Sequence, residues 1–119
     1  MKRLRLILFF IVYATFLAAQ KPPDGKYTYS ILWDEFGGKD LGNRCTVVIK
    51  KDSIKLVHNG EPDLTGNKGD ILCEGIILKH KTGKWIIGRS KKDKHAKAIG
   101  ACLDDLPIID FKRKVVWLC

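Results

Sequence analysis

Ile71–Ser90, ILCEGIILKHKTGKWIIGRS, is the stretch that decides the fold. Two isoleucine-rich runs, Ile71–Lys79 and Lys84–Gly88, meet across Lys81-Thr82-Gly83, where glycine supplies the positive φ that a short hairpin loop needs. The runs are too short for helices and are bounded by turn residues, so they predict a β-hairpin. Strict alternation fails at Ile76-Ile77-Leu78, which predicts burial on both faces or a bulge near Gly75.

On the N-terminal side, Tyr27, Tyr29, Ile31 and Trp33 alternate with Thr28, Ser30 and Leu32, giving a strand with an aromatic inward face and a more polar outward one. Asp34–Asn43 reads as a glycine-punctuated loop whose Phe36 and Leu41 fold back on the sheet. Arg44–Lys50 and Ser53–His58 form a second hairpin about Lys51-Asp52, with Cys45, Val47, Ile49, Ile54 and Leu56 inward and Lys50, Lys51 and Lys55 in solvent. Asn59–Asp70, with Leu64 its lone apolar residue, is an exposed loop.

After the central hairpin, Ser90 followed by Asp93 is a variant of the helix-capping pattern, and Gly100 is placed to end a helix near residues 91–99 with Ala96 and Ile99 inward. Ile108–Phe111 and Val115–Leu118 are strand-like and flank Lys112-Arg113-Lys114, either a hairpin tip or the solvated middle of one strand. The total is six to seven short strands and at most one short helix. That predicts an all-β fold, a small antiparallel barrel or compact sandwich, because inter-strand segments are too short or too glycine-rich for the helical crossovers of a parallel sheet.

Met1–Ala19 has Lys2, Arg3 and Arg5 ahead of an apolar run, Leu6–Leu17, closed by Ala18-Ala19. This is the pattern of a secretory signal peptide cleaved after Ala19, and the run is short of the ~20 apolar residues of a spanning helix. Residues 20–119 then form a single small β domain, secreted or periplasmic, with no membrane span and expected as a monomer. Removing those three cations from 22 Lys+Arg leaves 19 against 13 Asp+Glu, a formal +6, so the domain is basic without its leader.

An even set of four cysteines in an exported chain of this size predicts disulfides. Strand placement favours Cys45 with Cys73 and Cys102 with Cys119. The gaps are wide and no C-x-x-C occurs, so no metal is expected, and no motif implies a cofactor.

Lys79–Lys97 concentrates cations, and Arg89, Lys91, Lys92, Lys94, His95 and Lys97 are the candidate ligand-binding residues for a polyanion or another acidic surface. The leading expectation is therefore an exported barrel-like binding or interaction module with a basic surface for anionic ligands, more readily than an enzyme. Two alternatives stand beside it. A small secreted hydrolase of ribonuclease type would draw on His58, His80 and His95, with Glu74 as an acid embedded in an apolar strand. A barrel with an apolar ligand would line its cavity with Tyr29, Trp33 and the isoleucines, although small barrels are usually filled by their own side chains.

Overall fold

A computed structural model describes residues 20–119, and the leader read from residues 1–19 lies outside them. Seven strands follow one another around a closed barrel: β1 (Gly25–Trp33), β2 (Lys39–Lys50), β3 (Ser53–Val57), β4 (Ile71–Lys79), β5 (Trp85–Gly88), β6 (Ile108–Asp110) and β7 (Val115–Leu118). Every sequential pair is antiparallel, and the ring closes through parallel pairing of β1 with β7, from Ser30 opposite Val115 to Trp33 opposite Leu118. The isoleucine-rich hairpin across Lys81-Thr82-Gly83 is β4–β5, in register from Ile76 opposite Gly88 to Lys79 opposite Trp85.

Period-two patterning places the core. Tyr29, Ile31, Cys45, Val47, Ile49, Ile54, Leu56, Ile77, Ile87, Ile109, Val116 and Leu118 fill the barrel interior, with Tyr27, Trp33, Leu72, Cys73 and Trp85 packed at its margins. An interior Ile or Leu of this kind contributes about 1.5–3 kcal/mol by its burial. Ionising Tyr29 there is disfavoured, and its hydroxyl is pushed up to about 12, chiefly by burial. Leu64 departs from the exposed-loop expectation. It is 6% exposed and belongs to the core, so the 59–70 loop is held down by its lone apolar residue.

The failed alternation at Ile77-Leu78 reflects burial on both faces. Ile77 faces the interior opposite Ile87, while Leu78, opposite Ile86, faces outward and is buried as well. The chain from Arg89 to Pro107 covers that outer face. Lys81 N–H donates to the Lys94 carbonyl at 3.0 Å, and Ile87 N–H donates to the Pro107 carbonyl at 2.9 Å, so this strap is laced to the hairpin. The register irregularities fall elsewhere, at Ser30/Leu32 and at Leu56/Val57. Gly75 is instead a point of close approach, because a Cβ there would strike the Gly88 carbonyl oxygen.

Three further local expectations need correction. Lys39–Asn43 is the start of β2, not loop, and Phe36 and Leu41 stay 61% and 52% exposed instead of folding back. The predicted helix is only a 3-10 helix, Lys91–His95. Its start matches the sequence pattern, since Asp93 Oδ2 accepts from the N–H groups of Arg89 at 2.8 Å and Ser90 at 3.3 Å. Continuation is blocked because His80 takes the Ala96 carbonyl and Gly100 N–H donates to Leu106, while Lys91, Lys94 and Lys97 would repel at helical spacing.

The third concerns the cysteines. Cys102 and Cys119 are bonded, with Cα atoms 5.3 Å apart, whereas Cys45 and Cys73 are free thiols. Strand β3 lies between their strands, with Leu56 paired to Val47 on one side and Cys73 on the other. Two inter-strand steps amount to about 10 Å, beyond the roughly 7 Å that a disulfide can bridge.

Candidate functional site

Antiparallel connectivity gathers three turns at one end of the barrel: Lys50–Ser53, His80–Lys84 and Phe111–Lys114. Each is short, two of them use a residue at positive φ outside glycine, Lys51 and Lys114, and the third uses Gly83. Lys50, Lys51, Lys79, Lys81, Lys84, Lys112, Arg113 and Lys114 are all exposed there, joined by Lys26 at the start of β1 and by Lys21. The acids at this end are Asp24, Asp52 and Asp110, and each is already committed. Asp24 accepts from Lys51 N–H at 2.7 Å, Asp52 pairs with Lys21 at 2.7 Å, and Asp110 Oδ1 accepts from the N–H groups of Lys112 and Arg113, both at 3.0 Å. The ammonium of Lys21 holds the Asp52 carboxyl below the usual carboxylate range.

The opposite end has the reverse sign. Loops 34–38, 58–70 and 100–107 carry Asp34, Glu35, Glu61, Asp63, Asp70, Asp104 and Asp105 against Lys68, with Lys39, Arg44 and Arg89 on the neighbouring segments, so acids stay in excess. The barrel thus separates its charges along its axis, a pattern hidden in the sequence because each cationic turn is followed by a strand that carries the chain away.

The cations singled out from sequence are divided by the fold. Lys91, Lys92, Lys94 and Lys97 are exposed on the strap together with His95, and the Lys81–Lys94 backbone bond joins that strap to the cationic turns. Arg89 turns to the other end, where its guanidinium donates to the Asp104 carbonyl at 3.3 Å.

His58 and His80 are 2% and 3% exposed, and hydrogen bonds occupy both ring nitrogens of each. His58 Nδ1 accepts from Gly60 N–H at 2.9 Å, so its Nε2–H donates to the Leu64 carbonyl, also at 2.9 Å. His80 has the same tautomer, with Nδ1 facing Thr82 at 2.9 Å and Nε2–H donating to Ala96 at 2.8 Å. These rings pin loops, at opposite ends of the barrel. Glu74 is exposed on β4 opposite Lys55, so its strand does not bury it. His58 and His80 are therefore set apart, while His95 is exposed on the strap beside the Ala96 that His80 engages. Among the described residues, no group of three His, Cys, Asp or Glu side chains is arranged to hold a metal ion.

Among the described residues, two surface cavities stand out. One, of 570 Å³, lies at the acidic end and is lined by Trp33, Leu64, Leu72, Cys73 and Leu118, with Arg89, Asp63, Glu74 and Asp105 among its polar groups. Burial pushes the Cys73 thiol up to about 11 and that of Cys45 to about 12, so neither is an activated nucleophile at neutral pH. The other, of 530 Å³, runs between the 80–84 and 111–114 turns, past Trp85 and Phe111 with Lys79, Lys84, Lys112 and Arg113, and continues along the outer side of β6 and β7, where Trp117 lies. Sequence reading placed Lys79 and Lys84 in the basic run Lys79–Lys97 but did not join them with Phe111, Lys112 and Arg113 as one group. Its signal was the direct adjacency of aromatic and basic residues at both turns, Lys84-Trp85 and Phe111-Lys112-Arg113.

Fold and site together define a small closed β-barrel, disulfide-linked, with clefts at its surface. The chain matches no protein-family model, and comparison with curated proteins and with solved structures gives no match either.

Proposed function

We propose that this protein is an exported binding module that holds an anionic partner on the barrel end formed by the 50–53, 80–84 and 111–114 turns, extended across the strap by Lys91, Lys92, Lys94 and Lys97. One observation carries the reading: every acid at that end is engaged by a backbone N–H or by Lys21, while its exposed cations stay available. A surface of one sign attracts phosphate, sulfate or carboxylate polymers and concentrates them in a salt-dependent way. His58 and His80 are buried with both ring nitrogens hydrogen-bonded, which favours binding over the ribonuclease-type alternative.

The test compares variants of equal net charge. Lys81→Glu/Lys84→Glu/Lys112→Glu and Lys91→Glu/Lys92→Glu/Lys94→Glu should each elute from heparin at clearly lower salt than Lys39→Glu/Arg44→Glu/Lys68→Glu, which alters cations toward the other end. Equal elution by all three would reduce retention to overall charge and overturn the assignment.

A further inference from the structure

The 530 Å³ groove has a composition that a surface for extended polyanions does not require. Its volume lies in the range of small-molecule sites, about 300–1,000 Å³. Cations cluster at one end, where Lys79, Lys84, Lys112 and Arg113 leave the two turns. The other end reaches Ile99 and Leu103 beside Asp34, because Cys102 N–H donates to Asp34 Oδ2 at 3.2 Å and holds the 100–106 loop against the end of β1. Between these ends lie the aromatic rings.

Two cations are already seated on indoles, Lys79 Nζ at 4.7 Å from the Trp85 ring centre and Arg113 at 6.0 Å from that of Trp117. Phe111 buttresses Trp85 edge to face, with ring centres 5.6 Å apart. Cation–π contact of this kind fixes a positive charge beside an apolar face, so a flat ring and an acidic group can be taken up together. Leu103, 71% exposed, leaves a large apolar side chain in water at the far end of the groove. The acids that line the groove are Asp34 and Asp110, and both already accept backbone N–H groups.

We infer that this groove is a binding site for a small amphiphilic anion: a flat, mainly apolar ring system bearing one sulfonate, carboxylate or phosphate. The acidic group lies among Lys79, Lys84, Lys112 and Arg113, where the groove passes Trp85 between the two turns, and the ring system lies along the outward-facing Trp117 indole toward Leu103. The inference draws on the same cationic turns as the proposed polyanion surface but requires in addition an apolar wall, which gives the two readings different readouts.

The probe is 1-anilinonaphthalene-8-sulfonate, titrated by its fluorescence into the full domain, with the uncharged N-phenyl-1-naphthylamine as comparison. The sulfonate should bind at one site, about tenfold tighter than the neutral compound. Leu103→Asp should weaken it about tenfold while heparin elution shifts only slightly, and Leu103→Ser, a milder change at the same exposed position, should act in the same direction. Lys84→Glu/Arg113→Glu should weaken sulfonate binding whether or not it alters heparin retention. Equal affinity for the neutral and charged compounds, or binding untouched by both the Leu103 and the Lys84/Arg113 changes, overturns the site. Heparin elution insensitive to position, with sulfonate binding still lost in these variants, would remove the polyanion reading and leave this one standing.

Discussion

Removing the Cys102–Cys119 bond is a clean perturbation because both residues are exposed, so Cys102→Ala/Cys119→Ala takes little packing away. What it removes is a restraint on the unfolded chain. The bridge spans 17 residues, and the chain-entropy relation gives a loop of that size about 3 kcal/mol at 25 °C. Small domains have only ~5–15 kcal/mol in all, so the loss is large without abolishing the fold. With a urea dependence of roughly 1–3 kcal/mol per molar, the unfolding midpoint should fall by about 1–3 M. Reductant should shift the wild type by the same amount and leave the double variant unchanged, since Cys45 and Cys73 are already thiols. A shift below about 0.3 M in the variant would refute the reasoning, showing that the 103–118 segment is not freed in the denatured chain when the bond is lost.

Three further outcomes are expected. Gly75→Ala places a methyl group on the Gly88 carbonyl oxygen and 3.0 Å from Ile87 Cγ2, so it should destabilise the domain by about 1–3 kcal/mol in urea titration, whereas Gly83→Ala, with open space around it, tests only the positive φ. Maleimide labelling of Cys45 and Cys73 in native protein at neutral pH should be far slower than in urea, because burial holds both thiols protonated; equal rates in the two solvents would contradict their placement. The N–H of Arg89, followed by that of Ser90, holds the Asp93 carboxyl below its usual range. Its stabilisation of the strap is therefore complete above the unfolded value, near 4, and is lost as pH falls through the lower folded one. Amide protection of Arg89 and Ser90, taken relative to the intrinsic exchange rate at each pH, should fall selectively on acidification, and Asp93→Asn should abolish that dependence.

The strands were legible wherever alternation ran unbroken. Val47, Ile49, Ile54 and Leu56 could be assigned to one face by counting, because a period of two needs no knowledge of the rest of the fold. Ile77-Leu78 showed that both faces were covered, but not by what, since the covering strap lies 11 or more residues downstream and meets the hairpin through backbone atoms. The same limit applies to Ala96. Nothing in its own neighbourhood says that His80 will occupy its carbonyl and stop a helix. Cys45 and Cys73 were misjudged because a hairpin that brings two strands near in sequence also supplies the strand that stands between them. The groove at Trp85 and Trp117 was illegible for another reason: its two walls come from segments more than 20 residues apart, and only the β5–β6 pairing, made across the long intervening strap as the ring goes on to closure, sets them side by side.

That closure carries a practical corollary. An odd number of strands sends the polypeptide in at one pole and out at the other, so Gly25 and Cys119 sit at opposite ends of the molecule. Joining residue 119 back to residue 20 would need a tether running the length of the barrel wall, which makes this a poor scaffold for circular permutation. The same geometry makes the position of an immobilisation tag informative. A tag ahead of residue 20 crowds the lysine-bearing turns, while one after residue 119 presents them outward, so a biosensor surface built each way should report the same molecule as two different binders.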